Sequence, residues 1–454
     1  MYKSHGCGLS PLHVIVVFFS LSLSLSQFTL YSYLLQEKTR TGTSIIRYQE
    51  NINKEMPHTH QNRPTAEHRQ HNFNEDEWNH YMTIKIENAF LDADTHKPTR
   101  ISMISTPHQA FLEVKPLSYC PEILTIGPLY IQKLGKSPLD HSKALCVKIF
   151  MERHGLSNVK VLMQRLIPTW NDLNSNYFKL PEYRFESLQL MVTVDTVFIH
   201  ELLLFVWNGC NSQHKEYGYF HTLYSDDITF NQVVRDLFLM GNQIPMSFLL
   251  KLIEEFPKEP TFGKDQLHDV LVYFVERVGP FIISYSQDEN FETPQLLHCN
   301  HLLDCLYLWV FREPSQEYRR KSLNRCRFPR LRNIFWMKRT ARRINYERDR
   351  LPTASELSKS GIWFRAIEGS ISVMSYDKTS LRFDLPRLVV YNGTEDMLRN
   401  LIAHEQTSME RGKLTKYAVI MDSLIDTAED VAILTKAGVL ENHLGSDEKL
   451  LKMW

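Results

Sequence analysis

Leu188-Gln-Leu-Met-Val-Thr-Val-Asp-Thr-Val-Phe-Ile-His-Glu-Leu-Leu-Leu-Phe-Val-Trp207 is the most apolar internal stretch of the chain. Roughly 20 apolar residues are enough for a helix to cross a bilayer. Asp195, His200 and Glu201 argue against that reading. Each charge near a bilayer centre costs about 2.5–3.5 kcal/mol on insertion scales. The stretch therefore reads as a buried helix at the centre of a folded core. A buried carboxylate without a partner is expensive or neutralised. Asp195 must then have a partner, and the sequence does not name it.

Outward from this helix the pattern stays helical. Asp140 to His154 reads as a helix capped by Asp140 and stopped by Gly155. Phe230 to Met240 and Met246 to Phe256 read as two apolar helices. Gly241 suits a left-handed position after the first, and Pro245 suits the first turn of the second. Asn242 and Gln243 sit in the joint, where a side-chain amide can satisfy exposed backbone groups. Leu267 to Val278 and Leu296 to Phe311 continue the helical pattern. Residues 92–137 hold several prolines and little periodicity, and read as an irregular strap with a turn at Gly127-Pro128.

Thr353 to Gly361 has the signature of a short capped helix ending at glycine. Trp363 to Val390 alternates β-branched and aromatic residues, which predicts two or three short strands. Thr394 to Glu405 and Leu414 to Lys436 return to helix. The expected fold is mainly α, a multi-helix core with a small β insert near 363–390.

The chain has 454 residues, 43% of them apolar and 11% aromatic, as a folded protein requires. Lys plus Arg equals Asp plus Glu at 52 each, so no global field favours nucleic acid. Seven cysteines without a Cys-x-x-Cys pair point to reduced, buried thiols, not a disulfide framework. The sequon Asn392-Gly393-Thr394 is read as a tight turn.

Between Lys3 and Glu37 there is no Asp, Glu, Lys or Arg. Residues 12–35 within this window are long enough to span a bilayer. As an anchor, with Lys38, Arg40 and Arg47 outweighing Lys3, the segment would leave the body facing the cytosol. As a cleaved signal peptide it would use Val14 to Leu25 as its core. The chain therefore divides into an apolar segment at 1–38, a polar linker of disordered composition at 39–75, and a helical body at 76–454. A basic loop at 312–350 carries 14 Lys or Arg against four Asp or Glu. It reads as a solvated loop, as a contact for anionic lipid or as a nuclear-localisation-like patch.

Catalytic signatures are missing. His200-Glu201 and His404-Glu405 each begin a zinc-protease pattern, but neither has the second histidine four residues after the first. There is no phosphate-cradling loop and no nucleophile elbow. His298, Cys299, His301 and Cys305 cluster without a second ligand pair, and read as part of a core helix. Asp422, Asp426 and Asp430 are spaced to share one helix face, as a solvated edge or a row awaiting a cation.

Four phrases in order carry a family resemblance. They are Tyr119-Cys-Pro-Glu-Ile-Leu-Thr-Ile-Gly-Pro-Leu-Tyr130, Arg235-Asp-Leu-Phe-Leu-Met-Gly-Asn-Gln-Ile-Pro245, Arg399-Asn-Leu-Ile-Ala-His-Glu-Gln406 and Met421-Asp-Ser-Leu-Ile-Asp-Thr-Ala-Glu-Asp-Val431. The series resembles the plant family known as domain of unknown function 247. The resemblance implies a plant membrane-associated protein, most of whose relatives have no assigned activity. Some grass members are similar to male determinants of self-incompatibility. The family usually carries a membrane helix at the extreme C-terminus, and this chain stops at Trp454, which makes residues 12–35 the candidate substitute. Gly241 stands where the family usually has glutamate.

The motif residues singled out are Gly127, Pro128, Asp195, Asp236, Asn242, Gln243, Pro245, Asn400, Glu405, Asp422, Asp426 and Asp430, with structural roles expected. No catalytic residue, cofactor or metal ligand is assigned. The expectation is a non-enzymatic interaction protein with a protein partner of unknown identity and no nucleic acid. The alternative is an enzyme of unrecognised class using buried carboxylates, Asp195, Asp236 or the Asp422 row.

Overall fold

Phe185–Trp207 forms one continuous helix of 23 residues, the longest described, which we call α3. No Gly or Pro interrupts it, and Glu186 sits in its first turn, where a negative charge meets the positive end of the helix dipole. In the computed structural model, the described residues are 103–208, 227–257, 262–283, 296–312, 352–407 and 412–454, all in one compact unit. The apolar segment, the linker and all but Arg312 of the basic loop fall outside the described residues.

Among the described residues, α3 alone is long and apolar enough to cross a membrane, yet most of it is buried inside the protein. Its neighbours are α1 (Asp140–Arg153), α2 (Val159–Leu166), α5 (Met246–Glu255) and α6 (Lys264–Val278). A helix apolar on every side belongs in a core. Burying a Leu, Val or Phe contributes roughly 1.5–3 kcal/mol, and α3 buries Leu188, Val192, Phe198, Leu202 and Phe205 among others. This apolar burial offsets the cost of its polar residues, most of which are partnered, though the buried Thr193 hydroxyl is not. Glu201 is held by Arg153 at 2.8 and 3.1 Å. Thr196 donates to the Val192 carbonyl.

The fold continues through α4 (Asp227–Leu237), α7 (Leu302–Val310), α8 (Ala354–Lys359), α9 (Thr394–Thr407), α10 (Lys413–Leu424), α11 (Ala428–Lys436) and α12 (Asp447–Leu451). The helix α9 packs against α7, α10 and the 3-10 turn Pro116–Tyr119.

Strands β1 (Trp363–Ile367), β2 (Ser375–Asp377) and β3 (Arg382–Pro386) form a sheet of order β1-β3-β2, with β1 parallel and β2 antiparallel to β3. The strand β4 (Leu388–Val390) pairs in parallel with β5 (Leu440–Asn442). The β insert lies where its alternation predicts. No reading of the sequence anticipated β5, whose three residues are too few to show a period.

Several boundaries differ from expectation. Leu296 to Phe311 is not one helix: a 3-10 turn, Leu296–His298, precedes α7, and His301 is the N-cap of α7. His301 Nδ1 accepts the Asp304 N–H at 3.2 Å. Asp140 is the first residue of α1, and its carboxylate accepts the Ser137 N–H at 2.9 Å. Pro245 is the N-cap of α5, one residue before the first turn.

Candidate functional site

The segment Leu117 to Pro128, exposed at Leu117 and Glu122 and otherwise largely buried, does not pair as a strand. Its peptide groups must still be satisfied, because an unpaired buried N–H or C=O costs as much as a lost hydrogen bond. The partners are polar side chains from other elements. Residues of the four sequence phrases supply many of them.

Asp236, near the end of α4, is fully buried. Its carboxylate accepts the N–H groups of Glu122, Ile123 and Leu124 at 3.0, 2.8 and 2.9 Å. Burial pushes this carboxyl above its ordinary value, against the pull of those N–H groups and of Arg235. The neighbouring Arg235 donates to the Leu117 and Cys120 carbonyls at 2.6 and 3.0 Å. It also reaches Asp236 at 2.6 Å and Asp396 at 2.5 Å. Arg235 and Asp236 thus hold opposite polarities of the same strap.

Asn242 occupies the bend between α4 and α5. Its Oδ1 accepts the Ile126 N–H at 2.6 Å, and its Nδ2 donates to the Leu124 and Asp236 carbonyls, both at 2.8 Å. Gln243 donates to the Leu237 and Leu239 carbonyls at 2.6 and 2.9 Å, the groups left open where a helix ends. Its Oε1 accepts the Leu303 N–H at 3.2 Å. One bend therefore joins α4, the strap and α7.

Gly127 has φ +67°, and a Cβ there would lie 2.4 Å from the Gln243 carbonyl oxygen. Both the backbone conformation and the close approach exclude a side chain. Its N–H donates to Asp195 Oδ2 at 2.7 Å, and the Pro128 carbonyl accepts from Tyr183 at 3.2 Å. Gly241 differs from expectation: it is not left-handed. It is small because a Cβ would lie 2.8 Å from the buried Tyr130 ring.

The partner that Asp195 requires is Lys143 of α1, at 2.6 Å, with both side chains buried. Lys143 also donates to the Thr125 carbonyl of the strap. Burial raises the Asp195 carboxyl above its ordinary value, against Lys143 and the Gly127 N–H. Lysine and aspartate together neutralise each other's charge and close the strap from the α3 side.

Asn400 of α9 accepts the Met240 N–H at 2.9 Å and donates to the Ser118 carbonyl at 2.8 Å. Glu405 accepts the Leu414 and Thr415 N–H groups at 2.8 and 3.0 Å, satisfying the start of α10. One residue earlier, His404 lies 3.1 Å from Asp304 of α7. Burial pushes Asp304 up, but the His404 hydrogen bond and the adjacent imidazoles hold it well below the usual carboxylate range. Burial, with His404 close by, lowers His301 from 6.5 to about 3.

The Asp422, Asp426 and Asp430 row does not exist as a helix face. The helix α10 stops at Leu424 and α11 starts at Ala428, so Asp426 lies in the connection. Asp430 is buried and closes a capping box with Thr427. It accepts the Ser355 N–H at 2.7 Å and the Thr427 N–H at 2.9 Å. The physical reason is local: Thr427 and Asp430 together favour starting a new helix over continuing the old one.

Beside the strap lies an open cavity of about 460 Å³. Its floor carries Ser118 and Arg235, with Glu395 and Asp396 from the start of α9. Lys449 and Lys452 approach from the C-terminal helix, and Leu117 and Met453 add apolar surface. The sequence reading missed this site because its lining comes from parts of the chain more than 300 residues apart, such as Lys115 and Lys452. Among the described residues no group of three or more His, Cys, Asp or Glu is arranged to hold a metal ion.

A family model described as a plant protein of unknown function, DUF247, matches residues 104–454. A putative UPF0481 protein of Arabidopsis thaliana is 25% identical over 454 aligned positions, spanning 85% of this chain and 83% of its own length. Another UPF0481 protein of the same plant is 21% identical over 356 positions, spanning 75% of this chain and 69% of its own. No solved structure matches the chain.

Proposed function

We infer that this chain, which belongs to the plant DUF247 family of proteins of unknown function, is a membrane-associated interaction protein and not an enzyme. The observation that carries the reading is the use to which the motif side chains are put. The oxygens of Asp195 and Asp236 and the amide of Asn242 are buried and bonded to strap backbone or to Lys143 and Arg235. A general base or nucleophile must reach a substrate proton or atom. These groups would have to abandon the strap to do so. The family phrases therefore maintain a shape, and a shape serves recognition.

Membrane attachment is assigned to residues 12–35, and anionic-lipid contact to the basic stretch 312–350. With the anchor retained, the body faces the cytosol. The test is fractionation with an alkaline wash of plant cells making the full chain or a version starting at Thr41. The full chain is expected in the washed membranes and the shorter version in the supernatant. Two soluble versions would remove the anchor.

The enzymatic alternative is tested by a broad hydrolase and nucleotide-turnover screen of the purified chain. No turnover is expected. Turnover that Asp195→Asn abolishes without lowering the melting temperature would overturn the reading.

A further inference from the structure

The cavity beside the strap is lined in part by side chains that take no part in holding the strap, among them Leu117, Lys449 and Lys452. Leu117 is 75% exposed at the same cavity, an unusual place for a leucine to be held by a buried segment.

The charges differ between floor and rim. Lys115 pairs with Glu395 at 2.6 Å, and on the floor Arg235 pairs with Asp396 at 2.5 Å. On the rim, Lys449 and Lys452 are exposed, and neither makes an ion pair among the described residues. Lys449 donates to the Leu444 carbonyl at 3.2 Å, so its ammonium is already aimed along the rim. The cavity thus offers two exposed cations, an apolar shoulder and carboxylate oxygens in its lining.

We propose that this cavity docks an extended peptide segment of a protein partner, one that presents an acidic side chain next to an apolar one. The acid meets Lys449 and Lys452. The apolar side chain lies on Leu117 and Met453. Peptide N–H groups face the carboxylates of Glu122 and Glu395 in the lining. A free phosphate suits the site less well, because its concentrated negative charge would face the carboxylates of Glu122, Glu395 and Asp396, whereas a peptide brings N–H donors beside its acid. The volume of about 460 Å³ falls in the usual range for ligand sites. The proposal rests on the interaction reading above and names its surface.

The test begins with the purified full chain and a phage-displayed library of random 12-residue peptides. The comparison variants are Lys449→Glu/Lys452→Glu and Leu117→Asp, all at exposed positions. Their melting temperatures are expected to match wild type, so a lost signal is not lost fold. Selected peptides are expected to pair an acid with an apolar residue and to bind the double variant about tenfold or more weakly, since opposite charge is replaced by like charge. Binding should also weaken as salt rises. Peptides without acidic enrichment, equal binding by wild type and both variants, or no enrichment at all would overturn the site. So would phosphatidylserine vesicles that bind wild type and not the double variant, since they would assign the rim to lipid.

Proximity labelling in plant cells separates the two levels. Partners labelled equally by wild type and variant remove the cavity but keep the interaction reading. No partner above an untethered control removes the interaction reading itself.

Discussion

Gly127 shows how tightly single positions are specified. Its φ of +67° already penalises any side chain, and a Cβ would sit 2.4 Å from a backbone oxygen that cannot move away cheaply. A left-handed conformation costs a non-glycine residue roughly 1–2 kcal/mol, and overpacking adds about 1–3 kcal/mol. Gly127→Ala is therefore expected to lower stability by about 2–5 kcal/mol in urea titrations, without a change in slope. Gly241 is small for a different reason, since the Tyr130 ring fills its space. Gly241→Ala should cost about 1–3 kcal/mol, and much of that cost should vanish in a Tyr130→Leu background. A double-mutant cycle by thermal melts measures the coupling. Independent effects would show that Gly241 is constrained by something other than the ring.

At the scale of elements, the junctions carry the polar residues. The connection between α10 and α11 depends on Asp430, which accepts from Ser355, Asp426 and Thr427 at once. Asp430→Ala should destabilise by about 2–4 kcal/mol, because several buried donors lose their acceptor, whereas Thr427→Ala should cost about 1 kcal/mol as the loss of one cap. Chemical denaturation of both variants gives the comparison. Equal, negligible effects would mean that the break between the helices is set by packing alone.

The junction of α7 with α9 carries a pH dependence. His301 has a folded value of about 3 against 6.5 for a free imidazole. Its folded value is depressed, so the unfolded chain binds this proton first as pH falls. Stability from this group is therefore full above 6.5 and is lost between 6.5 and about 3. Asp304, held low, adds a loss of the same sign below about 4. His301→Asn keeps a good N-cap but removes the titration. Wild type is expected to lose stability more steeply than this variant between pH 6 and pH 4, by about 1–3 kcal/mol over the interval. Parallel pH profiles of the melting temperature would remove His301 as the source.

For the whole molecule, the strap ties distant parts together. Asp195 and Lys143 hold it from α3 and α1, Arg235, Asp236 and Asn242 from α4 and the bend beyond it, and Asn400 from α9. These elements cannot separate while the strap stays bonded. Amides of Ile123, Leu124, Ile126 and Gly127 should therefore exchange with solvent only by global unfolding, as slowly as the core of α3. Hydrogen exchange followed by mass spectrometry reads this directly. Faster exchange in the strap than in α3 would make it a separable segment clamped onto a finished core.

The sequence by itself determined the helical class, the burial of α3, the position of the β insert and the turn at Gly127-Pro128. Each rests on local signals: an apolar run, an alternation, a glycine beside a proline. It also placed an amide pair at the joint between α4 and α5, because the ends of helices need partners wherever they fall. The capping box at Thr427 and Asp430 was equally local, but the four-residue spacing of three aspartates masked it, and a cap signal overrides a period when the two compete. Only the tertiary structure decided which groups meet. Asp195 finds Lys143 across 52 residues, Asp236 finds Leu124 across 112, and Asn400 finds Ser118 across 282. The pairing of β4 with β5 and the lining of the cavity are decided the same way. A side chain's periodicity reports which face is buried. The identity of its hydrogen-bond partner depends on how the elements pack, and that is a property of the assembled core.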